Sequence, residues 1–239
     1  MAERVLILSA ILDADQTQVP SPVRHLRAAS PIARTHPMTP ATSTPVPVRE
    51  RAERPLSPQP HLGQRGPEVQ PFGALRLVPI ALSAEARTES VQLLNGILAD
   101  TTILYALYKK HHWLVSGPTF YQLHLLFDKH AGEQLELVDL LAERVQSLGG
   151  IAVGDPRHAA ELTRIQRPPN GAEEVSVMLS RLLEAHETVI TALREAIEAT
   201  AKNGDWGSND LLMSDVLRRH ELQVWFLSQH LVDVPLVEA

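Results

Sequence analysis

The 239-residue chain has no cysteine. That excludes disulfides, thiolate zinc sites and thiol catalysis, and it removes the usual sequence marker of redox compartment. Aromatic residues are few, at 4%, although a hydrophobic content of 44% still supports a real core. No stretch approaches the ~20 apolar residues of a membrane span. The apolar run VLILSAIL near the N-terminus lacks a basic lead-in, since Glu3 offsets Arg4, and Asp13 and Asp15 follow it. It reads poorly as a signal peptide, and the expected location is cytoplasmic. The chain also lacks a Gly-rich phosphate loop, an HExxH zinc motif and a nucleophile elbow. A net charge of −6 gives no general expectation of nucleic-acid binding.

The charge is unevenly spread. Residues 1–82 hold nine Arg and no Lys against six acids, a net of +3, whereas residues 83–239 carry a net of −9. Residues 1–71 also contain twelve of the eighteen prolines. Such Pro/Ser/Thr/Arg-rich text with little apolar periodicity reads as a disordered or extended arm. Met38 is an alternative start within it. Arg24, Arg27, Arg34, Arg49, Arg51 and Arg54 could touch DNA phosphates, although Glu50 and Glu53 interleave with the densest cluster. The domain proper is expected over residues 72–239.

From Phe72 onward the pattern turns helical. Ser83 is a possible N-cap for a helix from about Ala84 to Val115. Leu94, Ile97, Leu98, Thr101, Leu104, Tyr105, Tyr108 and His112 recur along it at steps of three and four. Gly117-Pro118 ends it. A second helix follows to about Leu148, with Thr119 and Gln122 reading as a capping box and Gly149-Gly150 as the stop. Asp155-Pro156 opens a short helix ending near Ile165. Asn170 with Glu173 starts a third long helix that ends at Asn203-Gly204. The fourth runs from near Ser208 to about Leu231, with Pro235 beyond. Two short turns and one long crossover make an all-α four-helix bundle with a short extra helix in the crossover.

The chemistry gathers at the first turn and on the second helix. His124 and Asp128 are four residues apart and share a face, as do Asp139 and Glu143. The eleven residues from Asp128 to Asp139 are close to three whole turns, so both pairs lie on one stripe. They are about 16 Å apart along the axis, too far to hold one ion within one chain. A two-fold axis near Glu133-Gln134, beside the small residues Ala131 and Gly132, would bring His124 and Asp128 of one copy to Asp139 and Glu143 of another. His112 lies six residues before Pro118 and His124 six after, so a hairpin sets them level. Imidazole with carboxylate suits iron(II), and also zinc or manganese. Leu125, Leu135 and Leu140 argue that this side of the helix is covered. His111 and His130 are expected at the surface, and Trp113 in the core.

The segments KKHHWLVSGPTFYQLHLLFDKH, LVDLLAERVQSLGG and RRHELQVWFLSQHLVD resemble the Dps family, the DNA-protecting miniferritins, from about Phe72 to the end. All five ferroxidase ligand positions of that family are filled: His112, His124, Asp128, Asp139 and Glu143. The resemblance implies a ferritin-like bundle and a homo-oligomeric shell of twelve subunits built from two-fold dimers. It also implies oxidation of iron(II) at the shared sites, preferably by hydrogen peroxide, with storage of the ferric product. It further suggests acidic entry pores, for which Asp205 and Asp210 are the candidates. Two alternatives stand beside this: a nucleoid protein that binds DNA through the arm, and a shell that holds zinc at the same ligands and oxidises iron slowly. None of the eleven His has Glu three residues before it. That disfavours the in-bundle di-iron site built on Glu-x-x-His.

Overall fold

The computed structural model describes residues 60–233. Met38, the six arm arginines named above and Pro235 lie outside the described residues. Residues 60–83 carry no helix or strand.

Helix α1 spans Ala84–Leu114 and is capped as expected, with the Ser83 side chain accepting from the Ala86 N–H at 3.1 Å. Leu94, Ile97, Leu98, Thr101, Leu104 and Tyr108 are all buried along it. Helix α2 spans Phe120–Ser147. The capping box expected at its start is absent: Thr119 makes no side-chain cap bond and sits at φ −97°, ψ 11°. The reason is the turn before it. Gly117, at φ 91°, lets its carbonyl accept from the Phe120 N–H at 3.0 Å, and this tight closure holds Thr119 away from the extended geometry of an N-cap.

The end of α2 follows the expected glycine stop. The Gly149 N–H donates to the Gln146 carbonyl at 2.9 Å and the Gly150 N–H to the Val145 carbonyl at 3.1 Å, a Schellman pair. Gly149 has φ 85°, and a Cβ there would lie 2.6 Å from the Arg76 carbonyl oxygen. That carbonyl belongs to the segment before α1, whose own Arg76 N–H donates to the Gly149 carbonyl at 2.9 Å. Gly149→Ala should therefore destabilise the fold by about 1–3 kcal/mol through backbone strain alone, with the Arg76 clash added. A urea midpoint equal to wild type would contradict this.

Helix α3, Pro156–Leu162, is capped by Asp155, which accepts from the Arg157 N–H. It ends three residues before Ile165 because tertiary partners claim the chain. The buried Asp100 carboxylate of α1 accepts from Thr163 Oγ1 at 2.8 Å, from the Arg164 N–H at 2.7 Å and from the Arg164 guanidinium. Helix α4 runs from Val175 to Asn203, ending at Gly204 with φ 82°. Its expected Asn170/Glu173 start is not used. Asn170 accepts from Arg167, and Glu173 forms a forked pair with Arg181 at 2.8–2.9 Å.

The fourth rod begins earlier than expected, because Asp205 is its cap and accepts from the Ser208 N–H at 3.0 Å. It consists of α5 (Trp206–Asp210), a π-helical segment (Leu211–Leu217), α6 (Arg218–Ser228) and a closing 3-10 turn (Gln229–Leu231). The joints at Leu211, Arg218 and Gln229 stay in right-handed helical geometry. The α1–α2 hairpin is the most extensive helix pair; α1 also packs on α3 and α4, and α4 on the fourth rod. This is the expected four-helix bundle with a helix in its crossover.

Candidate metal centre

The turn between α1 and α2 sets two imidazoles face to face. The His112 and His124 rings stack with centroids 3.8 Å apart and planes at 21°. His112 Nδ1 lies 2.8 Å from the His124 carbonyl, and His124 Nδ1 lies 2.9 Å from the His112 carbonyl. A carbonyl only accepts, so each Nδ1 carries the proton and donates. In the neutral ring this tautomer leaves the lone pair on each Nε2, the form in which imidazole ligates a metal. The His112 carbonyl is one of the carbonyls left over at the end of α1, so the contact also satisfies a helix end.

Asp128 follows one turn later on α2 and is exposed. It accepts from Lys109 Nζ at 2.6 Å, and this hydrogen bond holds its carboxyl below the ordinary value. Lys109 also lies over the Trp113 ring, 5.9 Å from its centroid. The other two acids stand apart. Asp139 and Glu143 are exposed, with no ion-pair or hydrogen-bond partner among the described residues. No cluster of three or more His, Asp or Glu gathers closely enough among the described residues to hold an ion.

Seven exposed residues form one outward stripe of α2 at steps of three and four: Tyr121, Leu125, Asp128, Gly132, Leu135, Asp139 and Glu143. His124 sits half-buried on its flank, toward α1. Leu125, Leu135 and Leu140, expected to be covered, are 42–52% exposed in the single chain. Of the two small residues near the stripe's midpoint, Gly132 faces outward. Ala131 does not: it is buried in the core, because it lies a quarter-turn round from Gly132.

Three histidine and tryptophan assignments are reversed. His111 and His130, expected at the surface, are at most 1% exposed, and burial pushes each ring down to about 4. Trp113, expected in the core, is 70% exposed. On α1 the face that meets the bundle passes through Tyr108 and His111, which turns the neighbouring Trp113 away.

The two acids proposed for an entry pore also separate. Asp205 is 2% exposed and is committed to Arg144 and to Ser208. Burial works against its charge, but the Ser208 hydrogen bonds and Arg144 carry its carboxyl below the ordinary value. It is a helix cap and an ion-pair partner, with no carboxylate left for a pore. Asp210 is exposed and accepts from Ser214 Oγ at 2.9 Å.

Sequence reading missed a second polar cluster, deep in the bundle. The Tyr108 hydroxyl meets His186, His130 and Gln223, and His186 meets His220. Its only sequence signal is polar residues recurring on otherwise apolar helix faces.

Comparison with known proteins places this geometry among relatives. A ferritin-like domain model matches residues 91–237. Over 150 residues the chain is 63% identical to a protein of the bpoA2 5′ region of Kitasatospora aureofaciens, covering 63% of this chain and 100% of that one. Over another 150-residue alignment it is 31% identical to the DNA protection during starvation protein of Halobacterium salinarum, covering 63% of this chain and 80% of that one. Among solved structures, DpsC from Streptomyces coelicolor superposes with a TM-score of 0.71 at 61% identity, covering 72% of this chain and 100% of that one.

Proposed function

Because the chain belongs to the Dps family of ferritin-like proteins, we propose that it is a ferroxidase and iron-storage shell that protects against oxidative damage. Iron(II) is the substrate, hydrogen peroxide the preferred oxidant, and the ferric product is stored inside an assembly of twelve subunits in the cytoplasm. The observation that carries this reading is the split ligand set on α2 and the end of α1. One end offers the Nε2 atoms of His112 and His124 beside Asp128. The other offers the unpartnered carboxylates of Asp139 and Glu143, three turns away on the same outward stripe. A second copy laid antiparallel across Gly132 brings the halves together twice and covers Leu125 and Leu135, whose exposure otherwise leaves apolar surface in water.

In each site the Asp139 and Glu143 carboxylates hold iron in the tighter position, with His112 completing it. His124 and Asp128 supply a weaker second position, where Asp128 also pairs with Lys109. Two iron(II) ions give one electron each, and the peroxide takes both. With two protons it becomes two waters, and no hydroxyl radical is released. Asp210 is the remaining candidate for a pore acid.

Purified protein mixed with iron(II) and peroxide under argon should consume two iron(II) per peroxide, with no hydroxyl adduct on a spin trap. Radical adduct at the level of free iron would overturn the reading. Metal analysis of the isolated protein tests the zinc alternative, which predicts bound zinc and slow iron oxidation. The DNA alternative rests on arm arginines outside the described residues and is opposed by the net −9 of residues 83–239. A salt-dependent gel shift that vanishes on deleting residues 1–71 would favour it.

A further inference from the structure

Six side chains that the iron site does not use form one network inside the bundle: Tyr108, His130, Gln134, His186, His220 and Gln223. None is more than 1% exposed. Gln134 Nε2 donates to Gln223 Oε1 at 2.8 Å, and Gln223 Nε2 donates to Glu133 at 2.7 Å. The Tyr108 hydroxyl has one proton and three neighbours: His186 Nε2 at 2.6 Å, His130 Nδ1 at 3.2 Å and Gln223 Oε1 at 3.4 Å. The phenol is a stronger donor than an imidazole N–H, and 3.4 Å to Gln223 is long for an O–H···O bond, so the phenol proton is assigned to His186 Nε2. His186 then carries its own proton on Nδ1 and donates to His220 Nδ1 at 2.9 Å. His130 Nδ1 donates to the phenol oxygen from the other side.

This is a phenol held on a base, sealed from water. Burial pushes the phenol well above its ordinary range and the His186 imidazole well below its own, so both rest neutral. Such a phenol does not ionise; it loses an electron only together with its proton, and His186 Nε2 is placed to take that proton. Tyr108 also precedes His112 by four residues, one turn of α1 and a rise of about 6 Å. Tyr108 therefore lies one helical turn from the proposed ligand His112 without belonging to the ligand set.

We propose that Tyr108, paired with His186, is a redox-active tyrosine that supplies the second electron when peroxide meets a site holding a single iron(II). The inference rests on the ferroxidase reading above. In that half-filled state one electron comes from iron(II), giving iron(III), and one from Tyr108. The phenolic O–H bond breaks, and its proton forms an N–H bond at His186 Nε2. With two further protons from solvent, the peroxide O–O bond breaks to give two waters. A neutral phenoxyl radical remains on Tyr108 in place of a free hydroxyl radical. A later iron(II) returns the electron, and the proton goes back from His186, whose burial disfavours keeping it.

The test uses the full-length shell, loaded anaerobically with less than one iron(II) per site, mixed with hydrogen peroxide and frozen rapidly for electron paramagnetic resonance. The chain has only three tyrosines, Tyr105, Tyr108 and Tyr121, which makes assignment direct. A neutral tyrosyl signal is expected, and its splitting should collapse when deuterated tyrosine is incorporated. It should be lost in Tyr108→Phe, with hydroxyl spin-trap adduct rising, and kept in Tyr105→Phe and Tyr121→Phe. His186→Gln, which keeps an acceptor but removes the base, should slow radical formation on the order of a hundredfold. Fluorotyrosine at position 108 leaves the fold intact and should shift the signal, which covers the case in which Tyr108→Phe does not fold. A signal that persists in Tyr108→Phe, or is absent while iron is oxidised normally, overturns the inference and leaves the ferroxidase reading standing. Absence of iron oxidation at every loading removes the ferroxidase reading itself.

Discussion

Two inactive variants of this protein should restore one another's activity when assembled together. Asp139→Ala/Glu143→Ala removes one half of each proposed site, and His112→Ala/His124→Ala removes the other. Each alone should oxidise iron(II) at least about a hundredfold more slowly than wild type, since even residues behind the ligands commonly matter to that extent. Random co-assembly makes half of the dimers mixed. In a mixed dimer the intact histidines of one chain face the intact carboxylates of the other at one site, while the second site has lost four of its five ligands and keeps only Asp128. About a quarter of wild-type activity should therefore return, as two-fold geometry requires. If each chain closed its own site, the mixture would remain as inactive as its parts. Iron oxidation followed by absorbance, on shells whose mixed composition is checked by native mass measurement, separates the outcomes. The effect is large because α2 holds the two proposed ligand groups about 16 Å apart, and no side-chain rearrangement bridges that distance within a chain.

The second large effect is acid lability. His186 and His220 are fully buried and face each other through Nδ1 at 2.9 Å. Burial pushes His220 down to about 3 and His186 well below its ordinary value. Their folded values lie below the unfolded value near 6.5, so the unfolded chain binds the extra protons. The stability they contribute is complete above pH 6.5 and is lost progressively as pH falls toward 3. For His220 alone the loss by pH 5 is about 2 kcal/mol, and His186 adds in the same direction. Urea unfolding at pH 7 and pH 5 measures this directly. The His186→Gln/His220→Gln variant should be less stable at pH 7 yet show a much flatter response to acid. A wild-type slope retained in that variant would place the acid sensitivity elsewhere.

Particular residues show why some of the structure was legible in advance. Ser83, Asp155 and Gly149 act locally: a cap or a left-handed stop depends on groups within a few residues, which neighbouring text reveals. Asn170 and Glu173 have the same local signature and fail, because Arg167 and Arg181 hold them. The early end of α3 is set by Asp100, more than sixty residues away. The family resemblance makes Asp205 a candidate pore acid; its burial against Arg144 is a long-range fact. His111 and His112 are adjacent and of one type, yet one is buried in the bundle and the other stacks on His124. One residue is about 100° of helix rotation, finer than a periodicity argument resolves when several polar residues share a helix.

The sequence by itself determined the helices, their order and the three-turn gap along α2 between two candidate ligand pairs, too wide for one ion in a single chain. Those follow from helical repeat and rise, which are properties of the backbone. Only the tertiary structure decided which atoms are available. Packing the end of α1 against the start of α2 turned both Nδ1 atoms to backbone carbonyls and left both Nε2 atoms unspent. Packing four helices together drew Tyr108, His186 and His220 out of water and into one network. Both outcomes depend on groups that meet across the bundle, where distance along the chain carries no information.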